Sequence, residues 1–293
     1  MAQLRITIDI FSGRPNPVIE LAGKDAADAL ERLQPTARLA KDAPGLPSAP
    51  TLGYRGLVIE QLDKPAKGLP KSFRLAHGDM FGPRLLHRAA DESFEDFLLS
   101  RARGLKGRNL PANFPALLRR EIARFRDLRQ AAAPRKRILW PLRRPCECAP
   151  LYEPGWWNVP ARQPFNNCYN YATNYRTDTF AQPGNAAGAQ YTTLTCASVR
   201  PAAIKDQLID SPNANNKCPK EGHLVALVIW PGVDYHWYRK GRNGYWTHKP
   251  GGTPVTNLDN SNVTIPDPRT ADRGGYTQFC TFMVVMHGHI KIA

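Results

Sequence analysis

Apolar and polar positions alternate from the start of the chain: Leu4, Ile6, Ile8 and Ile10 share one parity, and Arg5, Thr7 and Asp9 the other. A period of two is that of a strand with one buried face. The run Ser12-Gly13-Arg14-Pro15-Asn16-Pro17 breaks the strand, and residues 24–33 have helical composition. Residues 35–50, rich in Ala, Pro and Gly, read as a loop. Further strands are expected over 52–62 and 72–76, then a helix with an acidic start over 91–99. Residues 1–100 thus read as a small α+β unit. Nothing in it has catalytic spacing, and His77 and His87 read as ordinary loop residues.

Farther on, His223-Leu224-Val225-Ala226-Leu227-Val228-Ile229-Trp230 is almost continuously apolar and ends at Pro231-Gly232, the signature of a central strand. A β-hairpin follows, with one histidine in each arm. A turn centred on Arg242 pairs residues whose numbers sum to 484, which would set His236 directly opposite His248 on one face. A closing strand is expected over 278–285. Upstream, Asn167 is a good N-cap and Cys168 would occupy the first turn of a short helix. Orphan N–H groups and the helix dipole favour thiolate there. One helix carrying a thiol, followed by antiparallel strands, makes residues 146–293 a second α+β domain.

Between the two lies a change of chemistry. Residues 101–145 hold 14 Lys and Arg against 2 acids, most of the net charge of +15. Leu118, Ile122, Phe125 and Leu128 fall on one helical face, and Arg119, Arg120, Arg124, Arg126 and Arg129 on the rest. Such a basic helical linker can dock its apolar stripe and offer arginines to a polyanion, an anionic membrane surface or an acidic protein partner. Aromatic residues to stack on bases are scarce in it, which argues against a sequence-specific nucleic-acid reader. No apolar run is long enough to span a membrane, and the first residues lack the plan of a signal peptide. The cytoplasm is the default compartment, with signal-independent delivery outside the cell as the other route.

Six cysteines, at 146, 148, 168, 196, 218 and 280, are too few in 293 residues to suggest a disulfide scaffold and read as free thiols. Cys146-Glu147-Cys148 lacks zinc spacing, so neither a metal nor a cofactor is expected. What remains is nucleophilic chemistry. Cys168 is the candidate nucleophile, His236 its base and His248 the residue that orients the base. Asp234 and His223 are the alternative orienter or base, and Gln163 and Asn167 the candidate oxyanion donors.

Helix-start Cys168, the strand opening Gly222-His223-Leu224-Val225, then His236 and His248 on successive strands make up an order that resembles the papain-like fold. The likeness is to its NlpC/P60 branch of cysteine peptidases and amidases, over residues 160–285 only. Asn167-Cys168-Tyr169-Asn170 departs from that family's usual Asp-Cys-Ser-Gly. The resemblance implies a cysteine hydrolase that cleaves a peptide or amide substrate, peptidoglycan peptides among them, through a thioester. A transglutaminase-like acyl transferase would use the same residues. An inactive papain-like scaffold working through residues 101–145 is the reading from another class.

Overall fold

The computed structural model describes residues 2–38, 50–82, 85–91, 93–100, 110–130 and 145–293. Its chain packs as two compact units. The first takes in residues 1–10, 16–48 and 54–132, the second residues 11–15, 49–53 and 133–293. Both are α+β, each built on an antiparallel sheet.

In the first unit the alternating start forms β1 (Gln3–Ile8), which pairs with β2 (Val18–Ala22) and, on its other side, with β4 (Leu57–Gln61). Between them in sequence come α1 (Gly23–Arg32) and β3 (Pro35–Arg38). The sheet continues through β5 (Ser72–Ala76), β6 (Asp79–Gly82) and β7 (Leu85–Ala89) in the order β2-β1-β4-β5-β6-β7-β3. Leu4, Ile6, Ile19, Ile59, Phe73, Leu75 and Met80 fill its core, as the period of two requires. Residues 35–38, expected as loop, are an edge strand, and 39–49 lie outside the described residues. His87 sits on β7, because two short strands with no clean alternation gave no sequence signal.

Helices α2 (Phe94–Ser100) and α3 (Phe114–Gln130) complete this unit, so the expected linker helix is part of a domain. Phe114, Leu117, Leu118, Ile122 and Phe125 are buried, while Arg119 and Arg120 are exposed. Arg126 lies 3.7 Å from Glu95 and 4.0 Å from Asp96, an internal ion pair rather than a free cation for a polyanion. Arg124 is half-buried. The side chain of Arg129 and the basic residues at 135–137 and 143–144 lie outside the described residues.

The second unit begins its helices with α4 (Pro154–Trp157), α5 (Cys168–Thr173) and α6 (Cys196–Lys205). Its strands are β8 (Ile209–Asp210), β9 (His223–Trp230), β10 (Asp234–Lys240), β11 (Trp246–His248) and β12 (Gln278–Val285), ordered β11-β10-β9-β12-β8. The apolar run is the central strand: every residue of β9 is buried. Helix α5 packs on β10, with Cys168, Tyr169 and Ala172 in one cluster with Leu227, Tyr235 and Trp237.

Four of the six cysteines are paired, Cys146 with Cys218 and Cys196 with Cys280, against the expectation of free thiols. Their sequence separations of 72 and 84 residues hid the partners. Cys148 is free and exposed, and Cys168 free and buried. Among the described residues, no helix is long and apolar enough to cross a membrane.

Candidate active site

Asn167 starts α5 through a reciprocal cap. Its side-chain oxygen accepts from the N–H groups of Tyr169 (3.0 Å) and Asn170 (3.1 Å), and Asn170 accepts from the Asn167 N–H (3.0 Å). Cys168 is therefore the first helical residue, as expected. Its surroundings are not those of an acidic thiol. It is fully buried, and burial, reinforced by the charge of Asp234, pushes the thiol well above its ordinary value. The Trp237 N–H, the nearby Ser12 hydroxyl and the Lys249 ammonium oppose that rise without overcoming it. Six residues of helix do not outweigh desolvation.

The histidine hairpin forms with a shifted register. Tyr238 faces His248 and Lys240 faces Trp246, so paired numbers sum to 486. The turn is one residue farther along than expected: Gly241 N–H donates to the Tyr245 carbonyl at 2.8 Å, and Gly244 takes φ +78°, which suits glycine. A shift of two in the sum keeps side-chain parity, so His236 and His248 still share a face, diagonally rather than opposite. Their rings meet edge to face with centroids 4.9 Å apart, and Tyr238 lies against both.

The hydrogen bonds of these rings run one way. His248 Nε2 lies 2.9 Å from the Leu258 carbonyl, which can only accept, so this nitrogen carries the proton. In neutral rings, His248 Nδ1 then accepts from His236 Nε2–H at 2.9 Å. That leaves His236 Nδ1 as an acceptor, and Ser12 Oγ–H donates to it at 2.5 Å. The order is nucleophile-side donor, base and orienter, with Ser12 rather than Cys168 donating to His236 Nδ1. Ser12, Cys168, Asp234, His236 and His248 all have 0 % exposure.

Ser12 is held by its backbone. Asp234 accepts from the N–H groups of Ser12 (2.5 Å), Gly13 (3.2 Å) and Arg14 (3.3 Å), and from Tyr276 Oη at 2.6 Å. Burial raises the Asp234 carboxyl above its ordinary value, against the pull of these donors. Asp234 thus fixes the Ser12 turn rather than orienting His236. Asn167 Nδ2 donates to the carbonyls of Gly13 (2.6 Å) and Ala181 (2.8 Å), which uses both of its amide protons and removes it as an oxyanion donor. Gln163 Nε2 donates to Gly252 O at 3.3 Å. A Cβ on Gly13 would come within 2.4 Å of the Tyr235 ring, so only glycine fits between Ser12 and Arg14.

His223 is structural. Its Nε2 donates to the Ala172 carbonyl at 2.7 Å, and burial lowers its pKa to about 3, which keeps it neutral. Sequence reasoning passed over Ser12 and Lys249. The first lies 224 positions from His236, beyond any spacing rule. Lys249 is wholly buried and donates to the carbonyls of Gln163 (2.6 Å), Asn166 (2.6 Å) and Gly251 (2.7 Å), a fixed cation beside the thiol. A lysine directly after His248 in an otherwise buried hairpin arm was the available signal.

No protein-family model matches this sequence, and no solved structure matches it. The chain is 47% identical over 140 residues to insoluble matrix shell protein 1 of Ruditapes philippinarum, a match that spans 47% of this chain and 91% of that protein. Identity at that level over nearly the whole of the shorter protein means that the chain belongs to the family of this shell matrix protein.

Proposed function

We propose that the second unit is a papain-like cysteine hydrolase domain, closed in this conformation, that cleaves a peptide or amide bond. The observation that carries the reading is the one-way hydrogen-bond line through His248 and His236, which leaves His236 Nδ1 a proton acceptor. The thiol at the head of α5 and this nitrogen share the Ser12 hydroxyl as neighbour. Once substrate reaches the buried site, His236 takes the thiol proton and Cys168 attacks the carbonyl. His236 then protonates the leaving amine, and water cleaves the thioester. His248 holds the tautomer throughout, and Lys249 favours the thiolate.

The reading is tested on oxidised full-length protein with peptidoglycan stem peptides and a library of amide substrates. Amine release that C168A and H236A both abolish supports it. No release from the folded protein, or release that C168A leaves intact, ends it.

A second reading is favoured by two observations: complete burial of the site, and the relative's description as an insoluble shell matrix protein. In it the domain is a non-catalytic, disulfide-held scaffold of an extracellular matrix, whose +15 charge draws polyanions. Two disulfides and this relative support an oxidising, extracellular setting for the scaffold reading. Salt-sensitive retention on heparin, with no amide cleavage, is its expected result.

A further inference from the structure

We propose that Ser12 is itself a nucleophile, and that Ser12, His236 and His248 form a triad that hydrolyses carboxylic esters through an acyl-serine. This goes beyond the cysteine-hydrolase reading. It sets the same base to another nucleophile and another bond, and no contact of the Cys168 sulfur enters it. Ser12 Oγ adds to the ester carbonyl as its proton passes to His236 Nδ1, and the alcohol then leaves with that proton. Water repeats the sequence: its proton goes to Nδ1, its oxygen bonds to the acyl carbon, and Ser12 leaves and is reprotonated. The net products are an acid and an alcohol.

The geometry is that of a nucleophile, a base and an orienter, each at hydrogen-bond length from the next. Ser12 Oγ–H donates to His236 Nδ1 at 2.5 Å, His236 Nε2–H to His248 Nδ1 at 2.9 Å, and His248 Nε2–H to the Leu258 carbonyl at 2.9 Å. The Gly251 N–H, 3.2 Å from Ser12 Oγ, takes one of its lone pairs and leaves the hydroxyl proton to the ring. The turn that carries Ser12 is fixed before any substrate arrives. Asp234 accepts three successive N–H groups, those of Ser12, Gly13 and Arg14. The Gly13 carbonyl accepts from Asn167 Nδ2 (2.6 Å), Gln182 Nε2 (2.8 Å) and Tyr235 Oη (2.9 Å). A serine kept for packing needs no imidazole acceptor whose far nitrogen is itself oriented. Esters follow from that orienter. His248 is an imidazole rather than a carboxylate, so it fixes the His236 tautomer without setting a negative charge against the imidazolium. A leaving alcohol asks less of such a base than a leaving amine.

Full-length oxidised protein is exposed to a fluorophosphonate and, separately, to p-nitrophenyl acetate with an acid quench, and the modified residue is located by peptide mass spectrometry. Phosphonyl and acetyl groups are expected on Ser12 of the folded protein, and on neither count in protein unfolded by urea. Ser12→Ala and His236→Ala should each lower ester turnover by about a thousandfold. Where either variant fails to fold, the position of the label in wild type decides. Folded wild type with no label at Ser12 overturns the triad, and so does an acetyl group found on Cys168 instead. Equal labelling of Ser12 in urea, or wild-type turnover in S12A or H236A, overturns it as well. The cysteine reading is judged apart, by C168A on amide release. Such release beside an unlabelled Ser12 removes only the triad, and a labelled Ser12 without it removes only the cysteine hydrolase.

Discussion

Each unit buries an aspartate, and the two solve the problem differently. Asp9, in the first, meets two guanidinium groups: Arg55 at 2.5 Å, and Arg74 in a shorter contact. Burial would raise its carboxyl, but the two cations outweigh burial and hold it at about 2. Asp234, in the second, is met by three backbone N–H groups and a phenol, and burial raises it. Ion pairs fix a charge and fasten a fold. Neutral donors position a turn and leave the neighbouring histidines free to set a direction for a proton. The first arrangement fastens a structural core, and the second is the one the proposed site would need.

The contrast breaks most visibly if Asp9 is neutralised. Asp9→Asn strands the buried Arg55 charge and should cost about 3–5 kcal/mol in urea unfolding, against about 1–3 kcal/mol for Asp234→Asn, which loses acceptors but breaks no direct ion pair. Equal losses would erase the distinction.

Acid and base should act on the units in opposite senses. The folded value of Asp9, about 2, lies below its ordinary 3.8. Its contribution, on the order of 2 kcal/mol, is present above pH 4 and is lost as pH falls from about 4 to 2. Asp206, in the second unit, is raised to about 6 by burial, against the bonds from Gly184 N–H and Tyr169 Oη. The folded state binds that proton more tightly, so its contribution is full below about pH 4 and is lost as pH rises through 6. Hydrogen exchange at pH 3 and pH 6 should show β1 and β4 better protected at the higher value and the segment around α6 better protected at the lower.

A smaller effect concerns the cap. Asn167→Ala should cost about 1 kcal/mol from the helix start alone, and more if the tether to Gly13 contributes. A melting curve identical to wild type would show that α5 is held by packing only.

The alternating strand at Leu4 to Ile10, the apolar run of β9 and the helix start at Cys168 could be read from sequence because each is a local pattern with one dominant cause. The shared face of His236 and His248 was legible through parity alone, and survived a register that was off by two. Ser12 was not, because a turn in the first 20 residues reaches the site only by tertiary packing, and neither were the two disulfides. The thiol's pKa was misjudged for a related reason: a helix start announces itself in sequence, whereas the depth of burial that outweighs it does not.

The direction of the hydrogen bonds through the two histidines is what separates a poised site from a filled core. Long-range ¹H–¹⁵N correlation spectra of protein labelled with ¹⁵N-histidine, assigned with H236A and H248A, report it directly. Both rings should carry a proton at Nε2, with Nδ1 of each accepting. A His236 ring protonated at Nδ1 would reverse the line and contradict the account.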